Sequence, residues 1–494
     1  FVFYMQQLFQ KFLMKSSTIK KVVWFWIILF GVTSYSQSKK WTLEECVNHA
    51  MENNISIKNT ALDKELADID RSSAIGSFLP SANATASHSW NIGLNQNITT
   101  GLLENQTTQF TSAGFNVGVD IYNGLQNQYR LRRATLSQIA SQYQLTKMQE
   151  DIALNVANAF LQILFNKENL KVQNEQLLNN QRQMERSEQL LEAGVIPRGD
   201  LMDIKATVAT SQQMVINAEN LLLISKLSLA QLLQLEDFKD FDIIDREYEA
   251  TESPLLLQTP EAIYQKAKET RTELKIAQTN LEIAEKDVSI ARGAYQPRLQ
   301  GFYSFSTRAS NLDRVTGIEL NPSNPTSVIG VVEGTNQNVL QPNFNAVLGS
   351  PSPIFDQFDD NKGQNFGVQL TIPIFNGFST RNNVQRSKVA LERTKIAYEQ
   401  EELTLERNVY TAFTDVKGAL KSYEAAVTTA EARQEAFNYA KERYDVGLMN
   451  AFDFNQSQTL LVNAQSEVLR TKYDYIFRTK ILEFYFGIPI IQKP

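Results

Sequence analysis

The side chains that could make or break bonds are few in this chain and badly spaced for it. Its two histidines, His49 and His88, lie in different segments, and neither has partners at the spacing of a metal site or a catalytic triad. The single cysteine, Cys46, excludes an internal disulfide framework, cannot hold a metal cluster alone, and reads as a small buried residue of the first helix. No phosphate loop and no GxGxxG-type fingerprint precede a helix. The adjacent acids Glu44-Glu45 and Asp359-Asp360 read as solvated surface. What remains is a pair of acids, Asp200 and Asp453, each six residues after a glycine, Gly194 or Gly447, and each placed to cap a helix. Neither an enzyme nor a cofactor or metal site is expected.

Those acids are positioned by a duplication. Residues 114–124 (GFNVGVDIYNG) and 367–377 (GVQLTIPIFNG) lie 253 positions apart, and the same offset carries Gly194 onto Gly447 and Asp200 onto Asp453. Further upstream, WTLEECVNHAMENN from Trp41 aligns with TPEAIYQKAKETR from Thr259 at an offset of 217. The second copy therefore carries 36 more residues, in a loop at 307–363 rich in Asn, Gly, Pro and Ser.

At 494 residues, with 43% apolar content but only 13 Pro and 21 Gly, the chain favours a few long elements over many small ones. A net charge of −6 without a basic stripe speaks against nucleic acid. Lys15, Lys20 and Lys21 precede an apolar run at 22–32 followed by the small residues Ser34 and Ser36. Such a run is too short to span a bilayer as a helix, so residues 1–37 are expected to hold upstream sequence and a cleaved signal peptide starting at Met14; the alternative is an uncleaved anchor. No later run is long and apolar enough for a membrane helix, so entry into a membrane requires a barrel.

After the leader, the pattern predicts two structural repeats, 38–253 and 254–494. The first holds a helix running to about Gly76, a strand hairpin at about 80–122 and a helical hairpin at about 125–235. The second holds a helix, a strand hairpin at about 297–375 with the long loop, and a helical hairpin at about 378–487. Phe366, Val368, Leu370, Ile372 and Ile374 alternate with smaller or polar residues, as do Phe115, Val117, Val119 and Ile121, giving strands with one greasy face. Alternation alone fits a soluble sheet as well. The proline-free stretches that follow favour helices on the order of 100 Å long. Return helices beat every seven residues, at Leu201, Val208, Val215, Leu222 and Leu229, then at Phe454, Leu461, Val468, Tyr475 and Leu482.

Four strands cannot close a transmembrane barrel, for which about eight are needed, and open edges in lipid strand their backbone groups. Several chains must pool strands. A secreted chain of this kind points to the outer membrane of a double-membraned bacterium and to a duct.

The opening motif WTLEECVNHAMENN, the junctions Tyr122-Asn123-Gly124 and Phe375-Asn376-Gly377, and the tips Ala193-Gly194-Val195 and Val446-Gly447-Leu448 followed by Asp200 and Asp453 together resemble the TolC family of outer-membrane efflux and secretion channels. The resemblance covers essentially the whole mature chain. It implies an α+β membrane protein with four transmembrane β-strands per chain, forming a homotrimeric twelve-stranded β-barrel continued by a long α-helical, coiled-coil barrel across the periplasm. An equatorial belt would include the repeat junction near 236–260. The implied function is a passive exit duct of a tripartite efflux or type I secretion system, set in outer membrane lipid. Its partners would be a periplasmic adaptor (membrane fusion) protein and an inner-membrane RND, ABC or MFS transporter.

By the same resemblance the helix tips, with Gly194, Val195, Val446, Gly447 and Leu448, meet the adaptor. Asp453 matches an acidic ring of the periplasmic gate, with Asp200 and Asp203 as further candidates. The family's second acid falls at Gln456, so this gate would carry less charge. Two other readings stand beside the duct: a secreted trimeric coiled-coil scaffold or adhesin, and a periplasmic adaptor, against which the duplication argues.

Overall fold

The computed structural model describes residues 40–96, 101–236, 238–245, 249–251 and 253–488; the expected leader at 1–37 lies outside them. In chain order the elements are β1 (Lys40–Trp41), α1 (Leu43–Asn53), α2 (Ile55–Gly76), β2 (Ser81–Gln96), β3 (Leu103–Asn123), α3 (Gln126–Glu192), α4 (Arg198–Leu233) and β4 (Asp242–Ile243). The second half supplies α5 (Pro260–Thr270), α6 (Thr272–Gly293), β5 (Arg298–Ser310), β6 (Arg314–Leu320), β7 (Thr326–Val331), β8 (Asn338–Pro342), β9 (Phe344–Gly349), α7 (Ile354–Asp360), β10 (Gly363–Thr371), α8 (Ser379–Asp445) and α9 (Ala451–Phe486). The duplication holds to the residue. Helices of 11, 22, 67 and 36 residues occur in that order in both halves.

The opening helix differs from the single rod expected up to Gly76. Asn54 takes an extended backbone, φ −61° and ψ 129°, and splits it into α1 and α2; Arg271 does the same, φ −67° and ψ 131°, between α5 and α6. Asn54 holds the break by accepting from Ser56 N at 2.9 Å and donating to Leu232 O at 3.0 Å. Glu45 is also not plain surface. It completes a capping box, accepting from Thr42 N at 2.9 Å while Thr42 Oγ1 accepts from Glu45 N at 3.1 Å. Glu44 is exposed, as are Asp359 and Asp360.

Two compact units form, each drawing on both repeats. One takes Leu145–Arg271 with the described residues up to Thr60 and from Glu402 onward. Its core packs Cys46, Ala50, Phe160, Ile163, Leu229 and Leu233. Burial, with Glu45 beside it, pushes the Cys46 thiol up to about 12, which fits its reading as an inert core residue.

The other unit, Ala61–Gln144 with Thr272–Glu401, is built on one antiparallel sheet of strand order β10-β5-β3-β2. All four expected strands form, but β10 ends at Thr371, short of the expected Ile372 and Ile374, whereas β2 and β3 run longer, at 16 and 21 residues. Register sorts the side chains by face. Phe366, Tyr303, Val117 and Ala82 stand in one row, and Val368, Gly301 and Val119 in the next. Phe366 is 77% exposed and Ile92 81%, so this part of the apolar face is left uncovered among the described residues. The opposite face is polar: Gln300 donates to Asp120 at 2.7 Å, Ser304 to Asn116 at 2.7 Å, and Ser87 and Ser112 share a hydrogen bond of 2.8 Å.

The segment at 307–363 is not the irregular loop that its composition suggests. It holds two paired hairpin segments, β6 with β9 and β7 with β8. Asn321 N donates to Asn343 O at 2.7 Å and Asn343 N to Pro325 O at 2.9 Å, which joins the two. Gln357 of α7 ties its base to β5, accepting from Ser310 N and donating to Ser310 O, both at 2.9 Å.

Candidate functional site at the hairpin tips

Both helical hairpins turn by the same device. In the first, Gly194 N donates to Leu191 O at 2.9 Å and Val195 N to Leu190 O at 2.8 Å; in the second, Gly447 N donates to Tyr444 O at 3.1 Å and Leu448 N to Arg443 O at 2.8 Å. This is the Schellman pattern, with glycine in the left-handed region at φ +74° and +76°. A Cβ on either glycine would meet nothing within 4 Å, so the backbone conformation and not crowding calls for glycine in the isolated chain. The turns leave Val195, Val446 and Leu448 about two-thirds or more exposed, at 67%, 70% and 71%. Phe452 and Met202, which the sequence reading did not single out, add exposed apolar surface one step into each return helix. They fall off the seven-residue beat, where an apolar residue has no place inside the hairpin, and that is the signal by which they could have been found.

The acids stand three positions inside their helices and are not the caps expected of them. Pro197 caps α4 without a side-chain bond, its fixed φ starting the helix, and Asn450 caps α9, its Oδ1 accepting from Asp453 N. Asp200 and Asp453 lie in the first turn, where a carboxylate favours the positive end of the helix dipole. Asp453, Gln456 and Asp203 are exposed and Asp200 is half-buried. Arg186 joins Asp445 at 2.5 Å and Lys205 joins Glu188 at 3.0 Å, both pairs exposed. Of the seven-residue beat on α4, Leu201, Val215 and Leu229 are buried while Val208 and Leu222 are half-buried, and Ile204, Ser211 and Ala218 between them are buried too; on α9 Phe454 and Leu461 are buried.

A second charged site escaped the sequence reading altogether. Lys167 of α3 reaches Asp242 at 2.9 Å and Asp245 at 2.7 Å, Lys226 of α4 reaches Asp242 at 2.9 Å, and Lys40 joins Asp245 at 3.2 Å. Around this cluster β1 and β4 pair in parallel. Burial raises the Asp242 carboxyl, but Lys167 and Lys226 together outweigh it and hold the group below its usual range; Lys167 does the same for Asp245.

Residues 46–234 and 263–483 match the sequence profile of the outer membrane efflux proteins. The chain belongs to the outer membrane efflux protein family. Like other members it acts in transport at the outer membrane and not in catalysis. It is 23% identical over 444 residues to the outer membrane protein TolC of Vibrio cholerae, covering 88% of each chain. Its fold is similar to that of CusC, with a TM-score of 0.72 at 16% identity over 92% of this chain and 95% of the other. It is similar also to the outer membrane channel CmeC of Campylobacter jejuni, with a TM-score of 0.68 at 18% identity over 90% and 86%. The stretch between the two family matches contains β4 with Asp242 and Asp245, whereas their partners Lys167 and Lys226 lie within the first match of this efflux protein.

Proposed function

We propose that this chain is one third of a passive exit duct. Three copies pool their sheets into a twelve-stranded barrel through the outer membrane, with the apolar face of each sheet toward lipid and the polar face toward the pore. The two repeats, 38–253 and 254–494, each give the barrel one strand hairpin and the periplasm one helical hairpin. The observation that carries the reading is the sheet itself: four antiparallel strands, a bare apolar face, and edge strands β10 and β2 whose outer edges pair with nothing among the described residues. Lipid cannot satisfy such edges, but further copies of the same sheet can. The exposed Leu221, Leu223, Ile224 and Leu227 on α4 call for a neighbouring helix in the same way.

Gly194, Val195, Val446, Gly447 and Leu448 dock a periplasmic adaptor at the hairpin tips, and an inner-membrane transporter of the RND, ABC or MFS type supplies the energy that this chain has no means to generate. Asp453, with Asp200 and Asp203 beside it, lines the periplasmic gate, where like charges attract cations. Purified protein in a planar bilayer is expected to conduct ions and to run on a gel as a heat-modifiable oligomer. A folded protein that stays monomeric without detergent would sink the proposal.

A further inference from the structure

The duplication turns a contact inside the chain into a template for a contact between chains. β3 closes the first strand hairpin and lies beside β5, which opens the second; β10 closes the second and β2 opens the first, and each has a bare outer edge. Adding 253 to a β3 position gives its β10 equivalent, and subtracting 217 from a β5 position gives its β2 equivalent. These offsets carry one hairpin onto the other without a slip, since Ala84 opposite Phe115 becomes Gly301 opposite Val368.

Three features of the β3/β5 junction have counterparts at the bare edges, two repeated and one exchanged. Gly124 and Gly293 approach so closely that a Cβ on the first would lie 2.1 Å from Gly293 O, and one on the second 2.5 Å from Gly124 O. Their equivalents, Gly377 and Gly76, are glycines that meet nothing within 4 Å. Gly377 has a left-handed φ of +61°, but Gly76 ends α2 without one. Among the described residues neither crowding nor a left-handed backbone calls for glycine at Gly76. Secondly, Arg133 pairs with Asp287 at 2.6 Å; the equivalents, Arg386 and Asp70, are an arginine and an aspartate again, both exposed and in no ion pair among the described residues. Thirdly, the Tyr122 hydroxyl donates to Gln296, and their equivalents, Phe375 and Leu79, are both apolar and stand 77% and 64% exposed. A polar pair has been exchanged for an apolar one, both members together.

The geometry points to an interface in which the next copy's β2 lies antiparallel along β10 in the register that β3 and β5 hold internally. Leu370 then faces the next copy's Ala86, Gln369 its Ser87, and Phe366 its Trp90, so that apolar meets apolar and polar meets polar; a slip by one residue would mismatch every row. Below the strands Arg386 pairs with the next copy's Asp70, Gly377 packs on its Gly76, and Phe375 covers its Leu79. Because the two edges differ, the contact runs head to tail and closes only as a ring. This inference rests on the multi-copy duct proposed above and deepens it by fixing which residues meet.

Charge reversal tests the ion pair. Asp70→Arg and Arg386→Asp are each expected to diminish the heat-modifiable oligomer on gels, and the double variant to restore it; a double variant no better than the singles would overturn the pairing. Cysteine pairs test the register. Oxidised Ala86→Cys/Leu370→Cys protein is expected to give covalent dimers and trimers that Ala84→Cys/Leu370→Cys protein does not, native Cys46 being buried. The reverse outcome, with light scattering in detergent still showing a trimer, would refute the register and leave the duct standing; a monomer by light scattering in the unmodified protein would refute both. Gly76→Ala, which has room in the isolated chain, is expected to leave its helix content intact and lose the oligomer.

Discussion

Asn450 and Asp453 bind each other at the start of α9. Asn450 Oδ1 accepts from Asp453 N at 2.8 Å, and Asn450 Nδ2 donates to Asp453 Oδ2 at 3.0 Å. The carboxylate thus has a local task, steadying the first helical turn, besides any effect of its charge on the pore. A substitution that removed both together would not tell them apart.

Asp453→Asn keeps a side-chain acceptor for Asn450 and removes the charge. If Asp453 forms part of a cation-attracting ring, this variant is expected to lower the cation-to-anion permeability ratio in planar bilayers while its thermal stability stays near wild type. Asn450→Ala is expected to do the opposite, costing about 1 kcal/mol of helix stability through loss of the cap and leaving selectivity unchanged. Equal permeability ratios in Asp453→Asn and wild type would remove the gate role.

The tip glycines make a similar separation possible. Gly447→Ala has space for its methyl group but must hold a left-handed backbone, so it is expected to weaken the turn by about 1–2 kcal/mol without blocking a partner's approach. Leu448→Asp leaves the turn intact and places a charge on the apolar tip. It is expected to abolish adaptor binding in a pull-down with the protein's own adaptor while the oligomer forms as usual. Unimpaired binding would take Leu448 out of the docking surface.

Much of this was legible in the sequence because long elements announce themselves. An offset of 253 maps α3 onto α8 and α4 onto α9, and the alternation of Phe366, Val368 and Leu370 gives the sheet's apolar face directly. The breaks at Asn54 and Arg271 were hidden because one extended residue interrupts a helix without needing proline or glycine. The caps lay three residues before the acids because Asn450, a strong cap by type, precedes an aspartate that suits the first turn equally well. The hairpin β6/β9 hid behind loop-like composition, and the Lys167–Asp242 contact joins residues too distant in sequence for any local pattern to suggest.

That contact makes the unit of Phe160 and Leu229 sensitive to acid. Asp242 and Asp245 have folded pKa values below the unfolded value of about 3.9, so their contribution is fully present above that value and fades as pH falls through the folded ones. Thermal unfolding in detergent is expected to be flat in this respect from neutral pH down to about 4 and to drop below it. Asp242→Asn lowers the melting temperature at neutral pH and makes the drop shallower. An Asp242→Asn protein whose melting temperature falls as steeply in acid as the wild type would show that the cluster plays no part.

The two faces of β10 should respond differently to the same lysine. Phe366 is on the apolar face and Asn365, its neighbour in the strand, on the polar one, in the same row as Ser304 and Asn116. A lysine toward lipid near the bilayer midplane costs roughly 2–4 kcal/mol, whereas a pore-facing lysine stays hydrated. Phe366→Lys is therefore expected to deplete the assembled oligomer from outer-membrane fractions. Asn365→Lys should assemble normally and shift the reversal potential toward anions, since three new positive charges would surround one axis. Were Asn365→Lys to fail in assembly and Phe366→Lys to insert and alter ion selectivity, the sheet would have to sit in the membrane with its faces exchanged, and the assignment of the polar row to the pore would fall with it.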